Sequence, residues 1–80
     1  MDQNQRSIIR EFIIKTLQIT DTTKFNEESD LSELGLDSIN AMQIAIGLEE
    51  QFKIRIVESD LLYKNFSNLN AIYKFLEKYF

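Results

Sequence analysis

One short stretch of the sequence offers a side chain that could carry a covalent group. Ser38 follows Gly35-Leu36-Asp37 and opens a run rich in Ile, Met, Leu and Ala. A serine becomes a nucleophile when a neighbouring base takes its proton, and histidine is the usual base near neutral pH. The chain has no histidine and no cysteine. Ser38 therefore has no partner for a Ser-His-Asp mechanism, although chemistry by Asp and Glu side chains alone stays open. We predict no catalytic residue in this chain and expect that it is not an enzyme.

The position of Ser38 favours a bound phosphate. Residues 38 to 52 predict a helix, and the free N–H groups and dipole at a helix N-terminus favour an anion. Asp37 and Ser38 are both common caps, and the sequence leaves open whether one of them only caps this helix. Because Ala41 stands three residues after Ser38, no capping box begins at Ser38. The alternative to routine capping is a hydroxyl presented for modification.

Three other kinds of site fit this stretch poorly. A calcium loop starting at Asp37 would need oxygen ligands at Ile39 and Ala41, whose side chains have none. A phosphate-binding loop needs several glycines, a lysine and a serine or threonine in order, and the sequence lacks that order. A hydrolase that uses only carboxylates is a weak hypothesis, because nothing marks a carboxylate pair in a dry pocket. We predict no metal site.

The predicted second helix has apolar residues on two sides. At about 100° per residue, one stripe suited to the core contains Ala41, Ile44, Ala45, Leu48 and Phe52. A second stripe, roughly opposite, contains Ile39, Met42 and Ile46, with Gln43 and Glu50 beside it. A helix that is apolar on two sides is either fully buried or meets a partner. We predict that the second stripe contacts partner proteins; the alternative is that Met42 and Ile46 touch a third helix or the long loop.

The rest of the chain predicts an all-α fold. Spaced apolar residues predict a first helix over residues 4 to 18, and a long polar loop follows over residues 19 to 36. Ile54 and Ile56 alternate with charged residues, and we interpret them as an extended connector rather than a strand. The predicted fold is a small four-helix bundle with a long first connection and a short third helix.

The predicted boundaries in the C-terminal half depend on two serines. Ser59 is expected to cap a short third helix over residues 60 to 63. Ser67 is expected to cap a fourth helix with Leu69, Ile72, Leu76 and Tyr79 on its apolar face. Three leucines of the long loop are expected to hold it on the core: Leu31, Leu34 and Leu36.

Composition limits the class of protein. Eighty residues predict one domain over residues 1 to 80. The formal net charge of −4 argues against a nucleic-acid partner. Residues 25 to 52 contain seven acids and no Lys or Arg. This segment is either a solvated acidic surface or a patch that steers basic partners. With no secretory signal and no apolar run long enough for membrane insertion, we expect a cytoplasmic monomer.

The stretch LGLDSINAMQIAIGLEEQFKIRI resembles the core of an acyl or peptidyl carrier protein. The matching features are Asp37-Ser38-Ile39 at the helix start, Leu48-Glu49-Glu50-Gln51-Phe52 at its end and the Ile54-Arg55-Ile56 connector. The resemblance implies that Ser38 receives a 4′-phosphopantetheine arm from coenzyme A through a phosphopantetheinyl transferase. The arm supplies the thiol that this chain lacks, and acyl or aminoacyl groups are held on it as thioesters.

The same resemblance implies roles for the neighbours of Ser38. Asp37 would help present Ser38 to the transferase and its metal. The partner-facing positions would be Ile39, Met42, Gln43 and Ile46, with Glu49 and Glu50 at the acidic end. The partners would be the transferase, the enzyme that loads the acyl or aminoacyl group, and a synthase or transferase that uses it.

The sequence departs from the fatty-acid synthesis pattern at three positions. Asn40 and Gln43 stand where such carriers have acids, and Val57 replaces the usual proline after the connector. These differences favour a specialised carrier for a polyketide, a nonribosomal peptide or an aminoacyl group such as D-alanine. The alternatives are a housekeeping carrier for fatty-acid synthesis and a helical interaction module without a covalent arm.

Overall fold

The computed structural model describes residues 1 to 80 and contains three α-helices and no strand. Helix α1 spans Gln3–Leu17, α2 spans Ser38–Phe52 and α3 spans Leu69–Leu76. Three short 3₁₀ turns follow α2 or α3, at Glu58–Asp60, Tyr63–Phe66 and Glu77–Tyr79. The predicted all-α bundle is confirmed. None of the helices has the length and apolar character that a bilayer crossing requires.

Helices α1 and α2 begin with the same kind of cap. The Asp2 carboxylate accepts a hydrogen bond from the Gln5 N–H at 2.8 Å, and the Gln5 side chain accepts one from the Asp2 N–H at 3.0 Å. Asp37 and Asn40 repeat this arrangement at the start of α2. Each pair satisfies donors that a helix N-terminus leaves without backbone partners. The capping residues therefore fix where both helices start.

Both helices also end in the same way. Gln18 and Lys53 adopt left-handed backbone with φ of 54° and 55°. The next residue then donates its N–H to a carbonyl five positions earlier, Ile19 to Ile14 at 3.0 Å and Ile54 to Glu49 at 3.1 Å. This motif uses terminal carbonyls and turns an apolar side chain back toward the core. Ile19 and Ile54 are accordingly half-buried against the core.

The long loop between α1 and α2 is fastened to the core and to the start of α3. Leu31 and Leu36 are buried as predicted, and Leu34 is half-buried. Phe25, which the sequence analysis did not single out, is buried as well. The Leu31 N–H donates to the Ser67 carbonyl at 2.9 Å. These contacts give the loop a defined path that ends at the N-terminus of α2.

The structure corrects the predicted third helix. Residues 60 to 63 do not form one helix; two 3₁₀ turns lie there, separated by the non-helical pair Leu61 and Leu62. Ser59 lies inside the first turn, which has no side-chain cap. So few residues cannot repay the cost of nucleating an α-helix, and short 3₁₀ turns result.

The cap predicted for the last helix is one residue too early. Asn68 caps α3, and its side-chain oxygen accepts a hydrogen bond from the Ala71 N–H at 2.8 Å. The Ser67 hydroxyl instead donates to the Lys64 carbonyl at 2.8 Å and closes the preceding turn. Leu69, Ile72 and Leu76 are buried as expected, and Tyr79 lies beyond α3 in the last 3₁₀ turn.

Candidate functional site

Ser38 occupies the first position of α2, and its side chain is exposed. The cap is Asp37, whose carboxylate accepts a hydrogen bond from the Asn40 N–H at 2.8 Å. The Asn40 amide oxygen accepts one in return from the Asp37 N–H at 2.7 Å, and the Asn40 amide nitrogen donates to the Gly35 carbonyl at 2.9 Å. Neither partner in this capping box uses the Ser38 hydroxyl. The question left open by the sequence is therefore answered: Asp37 caps the helix.

The backbone around Ser38 offers hydrogen-bond donors to an anion. The first intrahelical hydrogen bond of α2 runs from the Ala41 N–H to the Asp37 carbonyl at 2.9 Å. Because the Asp37 carboxylate takes the Asn40 N–H, the N–H groups of Ser38 and Ile39 are the first-turn donors left without a helical partner. A phosphate attached to the Ser38 oxygen would lie beside these donors and the positive end of the helix dipole. The residues present therefore fit a phosphodiester at Ser38.

The second apolar stripe of α2 is exposed, whereas the first is in the core. Ile39, Met42 and Ile46 keep 73%, 46% and 49% of their surface exposed. The predicted core stripe is buried at four positions and half-buried at Phe52; the four are Ala41, Ile44, Ala45 and Leu48. We call Ile39, Met42 and Ile46 the apolar ridge. The apolar ridge therefore lies on the exposed side of α2, the helix that begins at Ser38.

The polar residues beside the ridge differ in what they contact. Gln43 and Glu50 are exposed. Glu49 is half-buried, and its carboxylate accepts a hydrogen bond from the Ile56 N–H at 2.8 Å. Glu49 thus joins the end of α2 to the connector, a contact that the sequence analysis missed. No group of three or more acidic side chains is arranged to hold a metal ion.

An apolar cleft of about 160 Å³ opens beside Ser38, between α2 and the two turns that follow it. Its lining comes from Ser38, Ala41, Met42, Ala45, Leu61, Tyr63 and Phe66. Met42 therefore faces the region of the expected third helix across the cleft, and nearly half of its surface stays exposed. No local sequence pattern indicates the cleft, because its walls come from segments about twenty residues apart.

Tyr63 joins the outer wall of the cleft to the segment before Ser38. Its hydroxyl donates a hydrogen bond to the Leu36 carbonyl at 2.9 Å. Leu36 is itself buried two residues before Ser38. This contact fixes the second 3₁₀ turn relative to the N-terminus of α2. The exposed hydroxyl and the cleft are therefore held next to each other.

Comparison with known proteins matches this arrangement to a family. The family model for the phosphopantetheine attachment site matches residues 7–76. The chain belongs to the acyl carrier protein family. It is 39% identical over 72 residues to an acyl carrier protein of Phytoplasma mali (strain AT), across 89% of this chain and 82% of the relative. It is 36% identical over 70 residues to an acyl carrier protein homolog of Mycoplasmopsis pulmonis (strain UAB CTIP), across 88% and 93% of the two chains.

A plant relative matches over a shorter part. The chain is 44% identical over 45 residues to acyl carrier protein 1, chloroplastic, of Hordeum vulgare, which is 56% of this chain and 30% of that relative. Acyl carrier proteins are carriers rather than enzymes, and they hold a covalent 4′-phosphopantetheine group. They work with a phosphopantetheinyl transferase and with biosynthetic enzymes. The interaction module without a covalent arm therefore loses its support.

Proposed function

We propose that Ser38 carries the 4′-phosphopantetheine arm and that the chain holds acyl or aminoacyl groups on it as thioesters. The observation that carries this proposal is the exposed Ser38 hydroxyl at the first position of α2, relieved of capping by Asp37 and Asn40. The arm, when bound, supplies a thiol that forms the thioester. The chain itself supplies the oxygen that bonds the phosphate, two backbone donors beside it and an adjoining apolar cleft.

Asp37 has two parts in this proposal. One carboxylate oxygen holds the Asn40 N–H and so fixes the direction of the first turn of α2. Its second oxygen is available on an exposed residue next to Ser38. We propose that this oxygen helps the transferase and its metal to approach Ser38. Asp37→Asn should then keep the helix cap but slow the modification of Ser38. Asp37→Ser, which also caps well, should have the same two effects.

The apolar ridge is the proposed landing surface for the partner enzymes. Ile39, Met42 and Ile46 form it, with Gln43, Glu49 and Glu50 as its polar border. The acids at the end of α2 favour partners with basic side chains around an apolar patch. The single-domain organisation over residues 1 to 80, the cytoplasmic location and the monomeric state stay predictions.

We also propose that the pathway is specialised rather than housekeeping fatty-acid synthesis. The uncharged Asn40 and exposed, uncharged Gln43 support this, because they stand on the surface near Ser38 where fatty-acid carriers have acids. Asn40 is moreover engaged in the cap, so it is not free to act as a partner contact. A housekeeping carrier remains the alternative, and the relatives are described only as acyl carrier proteins.

A partner-exchange assay separates the two pathways. The chain with its arm attached and its thiol free is offered to the malonyl-transfer and condensing enzymes of fatty-acid synthesis, and turnover is compared with that of Gln43→Glu. A specialised carrier should turn over poorly and improve with the added acid. Gln51→Glu, on an exposed position away from the ridge, controls for added charge alone. Efficient turnover of the wild-type chain would show that the housekeeping alternative is correct.

A further inference from the structure

A hydrogen-bonded network fastens the C-terminal turn to the turn that follows α2. The Tyr79 hydroxyl donates to the Asp60 carboxylate at 2.5 Å and accepts from the Val57 N–H at 3.0 Å. The Lys78 ammonium lies 2.6 Å from the same carboxylate oxygen. We call Val57, Asp60, Lys78 and Tyr79 the C-terminal latch. It contains the one ion pair within the chain, so these two segments are joined by a salt bridge as well as by hydrogen bonds.

The latch borders the cleft beside Ser38. Asp60 directly precedes Leu61, which lines the cleft. The Asp60 carbonyl accepts a hydrogen bond from the Asn65 side chain at 2.8 Å, and Asn65 belongs to the turn that places Phe66 in the cleft. Asp60 therefore joins the C-terminus to both 3₁₀ turns. Any movement of Asp60 would move the outer wall of the cleft.

The outer wall has little internal support. Its two turns contain three and four residues, and neither has a side-chain cap. Turns this short have poor hydrogen-bond geometry and are weak by themselves. The wall is held from outside by the latch at Asp60, by the hydrogen bond from Tyr63 to Leu36 and by Phe66, which is buried against the Phe75 ring. The inner wall, by contrast, is the rigid helix α2.

We propose that the C-terminal latch, acting through Asp60 and Leu61, sets the width of the cleft and limits the size of the apolar group that the cleft accepts. Tyr79 and Lys78 are positioning residues in this account. The identity of the occupant, the apolar part of a group carried on Ser38, rests on the proposed function. A closed apolar cavity of about 150 Å³ holds a molecule the size of benzene. The cleft has a similar volume but is open beside Ser38, so in this proposal the position of Leu61 decides how long an apolar chain it accepts.

Hydrogen exchange on the unmodified chain tests the latch without any assumption about the arm. The Leu61 N–H is bonded to the Glu58 carbonyl at 3.0 Å, so its exchange rate reports opening of the wall. Tyr79→Phe should speed this exchange roughly three- to tenfold, the effect of one lost hydrogen bond, and leave unchanged the Leu34 amide, which is bonded to the Leu31 carbonyl in the long loop and opens locally. Tyr73→Phe is the matched control, because it removes a phenol hydroxyl that donates to the Arg6 carbonyl, away from the cleft. An unchanged Leu61 rate would overturn the proposal, as would an equal increase at every amide.

Chain-length discrimination tests the consequence for specificity. Short, medium and long straight-chain acyl thioesters are loaded on the wild-type chain, Tyr79→Phe and Tyr73→Phe, and the Ala45 methyl signal is followed by NMR. The change in the Ala45 methyl chemical shift should increase with acyl chain length and then level off. It should level off at a shorter chain in the wild type and in Tyr73→Phe than in Tyr79→Phe. The same limit in all three would overturn the proposal. Failure to load Ser38 would contradict the proposed function instead, and the exchange experiment would still decide whether the latch controls the wall.

Discussion

Asp37 and Asn40 exchange two hydrogen bonds at the start of α2, at 2.8 and 2.7 Å, each from a backbone N–H to the other residue's side chain. This capping box uses Asn at a position where Glu or Gln is more common. Because the pair satisfies the helix end, the neighbouring serine has no structural duty there. The residues that build the helix end and the residue that can be modified are therefore different.

Asp37→Ala should lower the free energy of unfolding by about 1 kcal/mol, the usual cost of losing an N-cap. Ser38→Ala should change it by less than about 0.5 kcal/mol, because its hydroxyl caps nothing. Urea denaturation of both variants measures the difference. Equal losses in the two variants would show that Ser38 shares the capping role.

Gly47→Ala should destabilise the contact between α1 and α2. A Cβ at Gly47 would overlap the end of the Phe12 ring: it would lie well inside contact distance of Cζ and 2.7 Å from Cε2. Overpacking of this kind costs about 1–3 kcal/mol, and the gain in helix propensity from Gly to Ala returns at most about 1 kcal/mol. In a double-mutant cycle measured by denaturation, Phe12→Leu should make Gly47→Ala less costly. Additive effects of the two changes would mean that the clash is relieved elsewhere.

Met42→Glu should cost little stability, about 1 kcal/mol or less, because nearly half of Met42 is exposed. It should nevertheless weaken binding of the transferase, since it places a charge in the middle of the apolar ridge. Thermal unfolding and the KM of the transferase for the carrier separate the two effects. Ile44→Ala, on the buried side of the same helix, is the contrasting variant and should cost about 2–5 kcal/mol. A loss of that size for Met42→Glu would place Met42 in the core.

The C-terminal latch should be intact at intermediate pH and should weaken at strongly acidic and at strongly basic pH. The hydrogen bond from Lys78, and then that from Tyr79, lowers the pKa of Asp60, so the stabilisation is present above the ordinary aspartate pKa of about 4 and is lost as pH falls through the lower folded value. The hydrogen bond to Asp60 raises the pKa of Lys78, so its share is present below about 10 and is lost at higher pH. Exchange at Leu61, corrected for intrinsic pH dependence, should therefore speed up at both extremes. In Asp60→Asn the acidic change should disappear.

The sequence predicts the two long helices well because their signals are local. The apolar spacing places the first helix at residues 4 to 18, and it is found at Gln3–Leu17; the second has the predicted limits. The two faces of α2 also separate as the angular positions indicate, with Ile44 and Leu48 buried and Ile39 exposed. A helix that packs on one face records that face in its own residue order.

The segment after α2 is harder to predict because its structure depends on distant residues. Ser59 and Ser67 have the right type for caps, but Asn68 is the cap that the tertiary contacts select. The cleft and the latch join residues 18 to 27 positions apart, such as Asp60 with Tyr79 and Leu36 with Tyr63. No local pattern contains such pairings. The capping box at Asn40 was missed for another reason, since the box was sought from Ser38 and not from Asp37.

Intact-mass measurement tests the central claim most directly. The chain is incubated with coenzyme A, magnesium and a broad-range phosphopantetheinyl transferase, and the modified peptide is then sequenced by mass spectrometry. Ser59→Ala serves as the matched control, because it removes another exposed serine hydroxyl beside the same region. The account predicts one added phosphopantetheine group on Ser38 in the wild type and in Ser59→Ala, and none in Ser38→Ala. An unmodified wild-type chain, or an added group that persists in Ser38→Ala, would contradict it.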